Sequence, residues 1–344
     1  MRFRKSLAIT GVMAGLLSLA IATPAIAGKT IDAIKARGQL VCGVNTGLAG
    51  FSAADSQGNW SGLDVDICKA IAAALLGDAT KVKWAPLNAQ QRFTALQSGE
   101  VDVLSRNTTF TLTRDGSLGL MATTPTYYDG QGFMVTKKLK ITSAKQLKNA
   151  EICVQTGTTT EKNLNDYFKA QKIQIKPVVF EGFEASVKAF FSGRCQAYTT
   201  DASGLASIRN KEAKNPDDYV ILPELISKEP LGPMVRRGDE DFYMVVKWVV
   251  YALLEAEEYG VSQENADAMK SSTDPVVGRI LGTGEDTGKL LGLDKDWAYR
   301  AIKAVGNYGE IFERNVGPKS ALKLPRGLNN LWSKGGLQYS MPVR

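Results

Sequence analysis

The chain has 344 residues, of which 44% are hydrophobic, and a formal net charge of +7. This length suits two domains of ordinary size, and the mild charge, without a basic stripe interleaved with aromatic residues, argues against a nucleic-acid partner. The chain contains no histidine, which excludes every Ser/His or Cys/His catalytic arrangement and most zinc sites. We therefore expect neither a metal nor a cofactor.

The first 27 residues are typical of a secretory signal peptide. Arg2, Arg4 and Lys5 precede an apolar stretch at 7–21, and small residues end the segment at Ala27, where we expect cleavage. The apolar stretch is too short to be a transmembrane span. The sequence therefore predicts an exported, soluble protein.

The four cysteines are Cys42, Cys68, Cys153 and Cys195. An even number of cysteines in an exported chain favours disulfides, and the chain has neither a CxxC pair nor a tight metal spacing. Cys68 falls on a predicted helix that follows the strand containing Cys42. These two can meet, because a helix of this kind packs against its own strand.

The first half of the chain alternates between predicted strands and helices. Strands are predicted at 40–44, 81–84 and 101–104, and helices at 29–37, from Asp64 onwards, and at 88–97. Apolar residues repeat at helical spacing after Asp64. Asp64 and Asn88 are predicted N-caps, and Gly99 is predicted to end the third helix.

The alternation restarts near residue 140. Strands are predicted at 119–122, 127–136, 151–154, 176–180, 196–199, 219–222 and 231–235, and helices at 143–147, 158–170, 183–191, 202–211, 239–259 and 296–312. Two successive sets of alternating elements predict an α/β protein with two parallel sheets.

A polar loop at 105–115 follows the predicted strand that ends at residue 104, and it contains several hydroxyl groups and Arg114. Open α/β sheets bind ligands beyond the carboxyl ends of their strands. An arginine fork matches a carboxylate through two parallel hydrogen bonds. The loop therefore indicates a carboxylate site, with a solvated surface loop as the alternative.

Six sequence fragments then point to a known family. They are Gly62 to Asp66, Ala95 to Val103, the loop through Arg114, Tyr127 to Gly132, Gln155 to Glu161, and Ser192 to Cys195 leading to Asp201. In this order and spacing they resemble the amino-acid-binding solute-binding proteins of ABC transporters over nearly the whole mature chain. The resemblance implies a type II periplasmic binding protein, in which two α/β lobes, each a mainly parallel sheet flanked by helices, hold the ligand in the cleft between them.

The resemblance also implies a division of the chain. After the signal peptide (1–27), we expect a first segment of lobe 1 at 28–135, lobe 2 at 136–230, and a return segment of lobe 1 at 231–344. The return segment includes a C-terminal extension, which we expect to wrap the first lobe.

Residue by residue, the resemblance implies an α-amino-acid site. Arg114, the hydroxyl of Thr109, backbone groups of Asn107 and the backbone N–H of Thr159 are expected to bind the ligand carboxylate, and Asp201 the ligand ammonium. A helix that begins near Thr159 suits an anion, because its first N–H groups have no intrahelical partners. The alternatives are a surface ion pair for Arg114 and a simple helix cap for Asp201.

A possible side-chain pocket is implied at Leu48, Phe51 and Arg92. Many relatives carry an aromatic residue where Leu48 stands. A leucine at this position constrains the ligand side chain less, which favours broad specificity. Arg92 is expected to favour acidic or polar side chains, or else to be a solvated helix residue. Phe51 fits a core position equally well.

The cysteines then fall into one disulfide per lobe, Cys42–Cys68 and Cys153–Cys195. The resemblance implies a monomeric periplasmic receptor that binds L-amino acids, closes around them and delivers them to the permease of an ABC importer. An enzyme on the same fold is the rival, but no general acid or base is evident at the matched positions. A second role in presenting the ligand to a chemoreceptor stays open.

Overall fold

The structure is a computed structural model that describes residues 29–344, so the predicted signal peptide lies outside it. The helices are α1 (Lys29–Arg37), α2 (Leu63–Leu76), α3 (Gln91–Ser98), α4 (Leu112–Ser117), α5 (Thr159–Ala170), α6 (Phe183–Phe191), α7 (Ala202–Glu212), α8 (Glu240–Glu258), α9 (Ala266–Met269), α10 (Pro275–Ile280), α11 (Trp297–Val305) and α12 (Tyr308–Asn315). None of these described helices combines the length and the hydropathy needed to cross a membrane.

The strands are β1 (Leu40–Val44), β2 (Ala53–Ala54), β3 (Trp60–Ser61), β4 (Val82–Pro86), β5 (Val103–Leu104), β6 (Leu120–Ala122), β7 (Tyr127–Asp129), β8 (Gln131–Thr136), β9 (Glu151–Gln155), β10 (Lys176–Phe180), β11 (Ala197–Asp201), β12 (Tyr219–Ile221), β13 (Glu229–Leu231) and β14 (Met234–Arg236). They form two five-stranded sheets, in the orders β4-β1-β5-β14-β6 and β10-β9-β11-β8-β12. In each sheet one strand, β14 or β8, runs antiparallel to its neighbours. The predicted fold class, two lobes with mainly parallel sheets, is confirmed.

The chain crosses between the lobes twice, through an antiparallel ribbon of β7 and β13. After the first crossing β8 enters the second sheet, and after the second crossing β14 returns to the first sheet. All of Gln131–Thr136 pairs with β11 or β12. The division predicted at residue 135 therefore falls inside a strand of the second sheet, because the chain leaves the first lobe before Gln131.

The start of α2 differs from the prediction. Its N-cap is Gly62, at φ 130°, where an added Cβ would lie 2.1 Å from Phe51 O, so only glycine fits there. Asp64 lies inside the helix, and its carboxylate accepts the N–H of Asn107 at 2.7 Å. The prediction of Asp64 as the cap is wrong, because this carboxylate is directed at the loop that follows β5.

The C-terminal segment joins the first lobe. Trp297 and Phe312 are buried in the same hydrophobic core as α2 and α8. The hydroxyl of Tyr308 donates to Thr126 O at 2.8 Å, beside the first crossing strand. Asn329 brackets that strand, accepting from Tyr128 N at 2.7 Å and donating to Tyr128 O at 3.1 Å. The segment thus braces the first crossing strand on the side of the first lobe.

Each lobe contains one disulfide, as predicted. Cys42 on β1 pairs with Cys68 on α2, and Cys153 on β9 pairs with Cys195 just after α6. Both bonds lie within one lobe, so neither ties the lobes together. Each can stabilise its own lobe without restraining motion at the crossing strands.

Candidate ligand-binding site

A narrow cavity of ≈ 30 Å³ lies between the lobes, where the parallel strands of both sheets end. Residues of the first lobe that line it are Asn45, Leu48, Arg92, Arg106, Asn107 and Thr109. Those of the second lobe are Gln155, Thr158, Thr159, Thr160, Phe183, Thr200, Asp201 and Gly204. Six of the predicted site residues are therefore brought together, and Arg114 and Phe51 are not among them.

Arg114 is buried directly behind the cavity wall. Its Nη1 donates to Thr109 O at 2.6 Å, and its guanidinium carbon lies 4.9 Å from the centre of the Phe93 ring. Burial lowers its pKa to about 10, so the group remains charged at neutral pH. No acidic side chain of the described residues lies within ion-pair distance of it, which rules out the alternative of a surface ion pair.

The backbone of Asn107 has a left-handed conformation, with φ at 33°. Its N–H is bound by Asp64, and its side-chain oxygen accepts from Asn45 Nδ2 at 3.0 Å. Burial raises the pKa of Asp64 to about 7. The group that Asn107 can offer to a ligand is therefore its carbonyl oxygen, and not the N–H that a carboxylate would require.

Two further buried arginines line the cavity. Arg92 is only 3% exposed; its Nη1 donates to Thr108 Oγ1 at 3.3 Å, while its Nε has no hydrogen-bond partner. Arg106 donates from Nε to Leu87 O at 2.8 Å. Burial lowers the pKa of Arg92, and the nearby charges of Arg106 and Arg114 lower it further. Arg92 is thus not a solvated helix residue, and Arg106 is a site residue that sequence reasoning missed, although it lies inside the polar loop.

The second lobe presents the amino end of α5 to the cavity. Thr158 is the N-cap, and its hydroxyl accepts the N–H of Glu161 at 3.1 Å. Thr159 is the first residue of the helix and lines the cavity. Gly157 precedes it at φ 73°, and an added Cβ there would lie 2.8 Å from Gln90 Cγ of the first lobe. The lobes therefore meet closely beside this helix end.

Asp201 ends β11, is 7% exposed, and makes no capping hydrogen bond to α7. The helix-cap alternative is therefore not observed. Burial raises the pKa of Asp201 well above its usual range, and the charges of Asp129 and Glu229 raise it further. Asp129, held by the hydroxyl and N–H of Ser203, has its pKa raised to about 6 by burial. A cation in the cavity would favour the ionised form of Asp201.

Glu229, on the second crossing strand, is a site residue for which the sequence carries no motif. It is 1% exposed. Its Oε2 accepts from the hydroxyls of Thr109 at 2.6 Å and Thr159 at 2.8 Å. Its Oε1 accepts from Asn163 Nδ2 at 2.7 Å and Ser227 Oγ at 2.6 Å. The predicted hydroxyl of Thr109 therefore faces this carboxylate, together with the hydroxyl of Thr159, for which the backbone N–H was the predicted ligand group.

Of the three residues predicted for the side-chain pocket, Leu48 and Arg92 line the cavity. Leu48 is buried and lines the cavity. Phe51 does not line it; its ring packs edge-on against Tyr127, 5.3 Å away, in the core of the first lobe. Of the two positions that the sequence left open for Phe51, the structure therefore shows the core position. Phe183 from the second lobe takes part in the wall instead.

Two lobes linked by paired crossing strands, with a small charged cavity between them, define a protein that binds a small charged solute by enclosing it. Residues 40–265 match the bacterial extracellular solute-binding proteins, family 3. The chain belongs to this family. Proteins of this family are receptors for transporters and not enzymes, and they act outside the cytoplasmic membrane, so this chain is an extracytoplasmic solute receptor.

Several relatives match over nearly the full chain. The general L-amino acid-binding periplasmic protein AapJ of Rhizobium johnstonii is 58% identical over 332 residues, which is 96% of this chain and 97% of the relative. The glutamate/glutamine/aspartate/asparagine-binding protein BztA of Rhodobacter capsulatus is 53% identical, over 94% of this chain and 96% of the relative. A solved ABC transporter / periplasmic binding protein from Brucella ovis with glutathione bound is 59% identical, with a TM-score of 0.90, and covers 92% of this chain and 99% of its own.

Proposed function

We propose that this protein captures L-amino acids of several kinds in the periplasm and delivers them to the permease of an ABC importer. The observation that carries the proposal is the presence of opposite charges around one buried cavity. Arg92, Arg106 and the amino end of α5 line it opposite Asp201, and Arg114 lies behind Thr109 in the same wall. An α-amino acid carries a carboxylate and an ammonium on one carbon. Charge-assisted hydrogen bonds to both groups would recognise the carboxylate and ammonium that all α-amino acids share.

The ligand carboxylate would be bound by the Arg114 guanidinium and by backbone N–H groups of Thr109 and Thr159. The first N–H groups of a helix such as α5 have no intrahelical partners and suit an anion. The ligand ammonium would be bound by Asp201 and the carbonyl of Asn107. This assignment moves Asn107 from the carboxylate to the ammonium, because Asp64 already holds its N–H.

Two features of the wall support broad specificity with a preference for acidic and amide side chains. Leu48 offers an aliphatic surface that does not select for one side-chain shape. Arg92 has an unpaired, buried Nε, and Arg106 adds a second buried cation. A ligand carboxylate or amide oxygen could satisfy Arg92, since leaving a buried donor unpaired is costly. The names of the Rhizobium and Rhodobacter relatives agree with both features.

Closure of the lobes would complete the site. Carboxylate and ammonium contacts come from both lobes, so the ligand binds the closed form better than the open form. Micromolar affinity requires about −8 kcal/mol, which a few charge-assisted hydrogen bonds in a dehydrated cleft can supply. We further propose that the mature chain begins after Ala27 and acts as a monomer.

The test is calorimetric titration of the mature protein, freed of ligand by unfolding and refolding, with the common L-amino acids. Arg114→Ala runs beside the wild type, with Arg194→Ala, which removes an exposed arginine paired with Glu151, as the matched control. We expect micromolar or tighter binding of several amino acids, lost in Arg114→Ala and kept in Arg194→Ala. Absence of binding for every amino acid would overturn the proposal, and binding of a single one would overturn its broad specificity.

We propose as a second ligand class amino acids whose side chain is extended through an amide bond. A groove of ≈ 770 Å³ opens between the lobes beside the cavity, and both are lined by Phe183. Lys188 and Lys211 lie on the groove and could pair with an anionic tail. The glutathione in the Brucella relative is such a molecule.

The groove can be blocked without strain at Gly47, where an added Cβ meets nothing within 4 Å. We expect Gly47→Phe to weaken glutathione binding at least tenfold and to leave L-glutamate binding unchanged, both measured by calorimetry. Equal losses for both ligands, or no glutathione binding to the wild type, would count against this second class.

A further inference from the structure

Glu229 is a buried acid to which the amino-acid site gives no role. It starts β13, the second crossing strand, and no basic side chain of residues 29–344 forms an ion pair with it. A buried carboxylate without a cation is costly unless other groups solvate it. Four neutral donors do so here, at 2.6–2.8 Å.

These donors come from both sides of the cleft. Asn163 and Thr159 belong to α5 of the second lobe, and Ser227 lies on the same crossing as Glu229. Thr109 comes from the loop after β5 in the first lobe, whose backbone also pairs with the end of β13. The two threonine hydroxyls also lie 3.3 Å from each other. The carboxylate is therefore the point at which a hydroxyl from each lobe converges.

We propose that Glu229 is an inter-lobe latch: in the closed cleft its carboxylate joins the Thr109 hydroxyl of the first lobe to the Thr159 hydroxyl and Asn163 amide of the second lobe. Hydrogen bonds to a carboxylate are among the stronger ones in proteins. The latch stabilises the closed form and so raises ligand affinity without touching the ligand. It rests on the proposed function, in which closure accompanies binding.

The latch changes the role expected for the Thr109 hydroxyl and leaves the backbone N–H of Thr159 free for the ligand. A hydroxyl has a single hydrogen to donate, and in this structure Thr109 and Thr159 direct theirs to Glu229. Their side chains then cannot donate to a ligand carboxylate, which is left with Arg114 and backbone N–H groups. The threonine hydroxyls thus stabilise the closed form of the cleft, and the Arg114 guanidinium binds the ligand carboxylate.

A double-mutant cycle tests the latch with L-glutamate as the probe. Thr109→Val removes the donor of the shared hydrogen bond and Glu229→Gln removes the charge of its acceptor, and each keeps the shape of the side chain. We expect each single variant to bind about tenfold more weakly, the scale of one charge-assisted hydrogen bond. The double variant should bind no more weakly than the worse single variant, because both changes remove one interaction. If Thr109→Val costs the same factor in the wild type as in the Glu229→Gln variant, the hydroxyl acts on the ligand and the latch is wrong.

Three controls separate the latch from misfolding and from failure of the proposed function. Thr109→Ser retains the hydroxyl and should restore affinity. Thr123→Val removes another first-lobe hydroxyl, which donates to Pro233 O at 2.9 Å, and should leave affinity unchanged. X-ray scattering of the ligand-free protein should show a more open average shape for Glu229→Gln. An unchanged scattering curve with an unchanged melting temperature would overturn the latch, whereas absence of binding in the wild type would overturn only the receptor assignment.

Discussion

The two lobes share one architecture but bring opposite charges to the cleft. The first lobe contributes three buried guanidinium groups, those of Arg92, Arg106 and Arg114. The second lobe and the crossing strands contribute the buried carboxyl groups of Asp129, Asp201 and Glu229. Like charges lie close together on each side. Beyond the effect of burial, the neighbouring arginines lower the pKa of Arg92 further, and the neighbouring carboxylates raise the pKa of Asp201 further. A ligand with one positive and one negative end can relieve both sides at once.

The lobes also differ in how they are built. The first lobe is formed from two separate stretches of chain and carries a large core that includes α8, α11 and α12. The second lobe is one continuous stretch with two smaller clusters of buried residues on the faces of its sheet. The braced first lobe can serve as the fixed side of the cleft, and the smaller second lobe as the side that moves on the crossing strands.

The largest effect on ligand affinity is expected when the negative charge of Asp201 is removed from the cleft. Asp201→Asn retains the shape and loses the negative charge, so a bound ammonium would be buried without its partner. Removing one member of a buried charge pair costs about 2–5 kcal/mol, so we expect amino-acid affinity to fall roughly 1,000-fold (about 4 kcal/mol) in calorimetric titration. A loss below tenfold would show that Asp201 does not bind the ammonium.

The next largest effect concerns the stability of the separate lobes. Replacing both cysteines of one pair by serine should lower the free energy of unfolding by about 2–4 kcal/mol. The bond in the second lobe closes the longer loop, with a sequence separation of 42 against 26, so we expect a slightly larger loss there. Urea unfolding of the two double-serine variants measures this, and ligand affinity in dilute buffer should stay within a factor of three in both, roughly 0.6 kcal/mol. Loss of binding in either variant would mean that its disulfide shapes the cleft.

A smaller effect is expected at the contact between the lobes beside α5. Gly157→Ala places a Cβ 2.8 Å from Gln90 Cγ and on a backbone with φ at 73°. Closure must then displace Gln90, so we expect affinity to fall about tenfold, or 1.4 kcal/mol. Gly193→Ala, also at positive φ but with open space around it, controls for backbone strain. Equal losses in both variants would attribute the effect to strain and not to closure.

The smallest effect is a pH dependence of affinity. In the ligand-free protein burial raises the pKa of Asp201, and a bound ammonium would lower it. Binding should therefore release a proton when the pH is below the raised value, and affinity should fall as the pH falls through it, by at most about tenfold per pH unit. Calorimetry in buffers of different ionisation enthalpy measures the proton count. Proton uptake on binding would contradict the assigned role of Asp201.

Much of this architecture follows from sequence patterns. The apolar stripes and short strands predict both α/β lobes, because periodicity within about ten residues reports which face is buried. The resemblance adds the cysteine pairs and Thr159, Asn107 and Asp201 as cavity residues. Local patterns gave a wrong prediction for Asp64, which was expected to cap α2 but accepts a hydrogen bond from the backbone N–H of Asn107. They do not decide the place of Phe51, whose apolar side chain suits core and pocket alike.

Local patterns in the sequence determined the alternating α/β elements and indicated the polar loop with Arg114, and the resemblance carried by six sequence fragments added the two lobes, Asp201 and one cysteine pair for each lobe. Only the tertiary structure decided that β8 belongs to the second sheet, that Arg106 lines the cavity, and that Glu229 collects hydroxyls from both lobes. The reason is the distance along the chain. Thr109 and Glu229 are 120 residues apart, and no local pattern reports a contact that the crossing strands alone bring together.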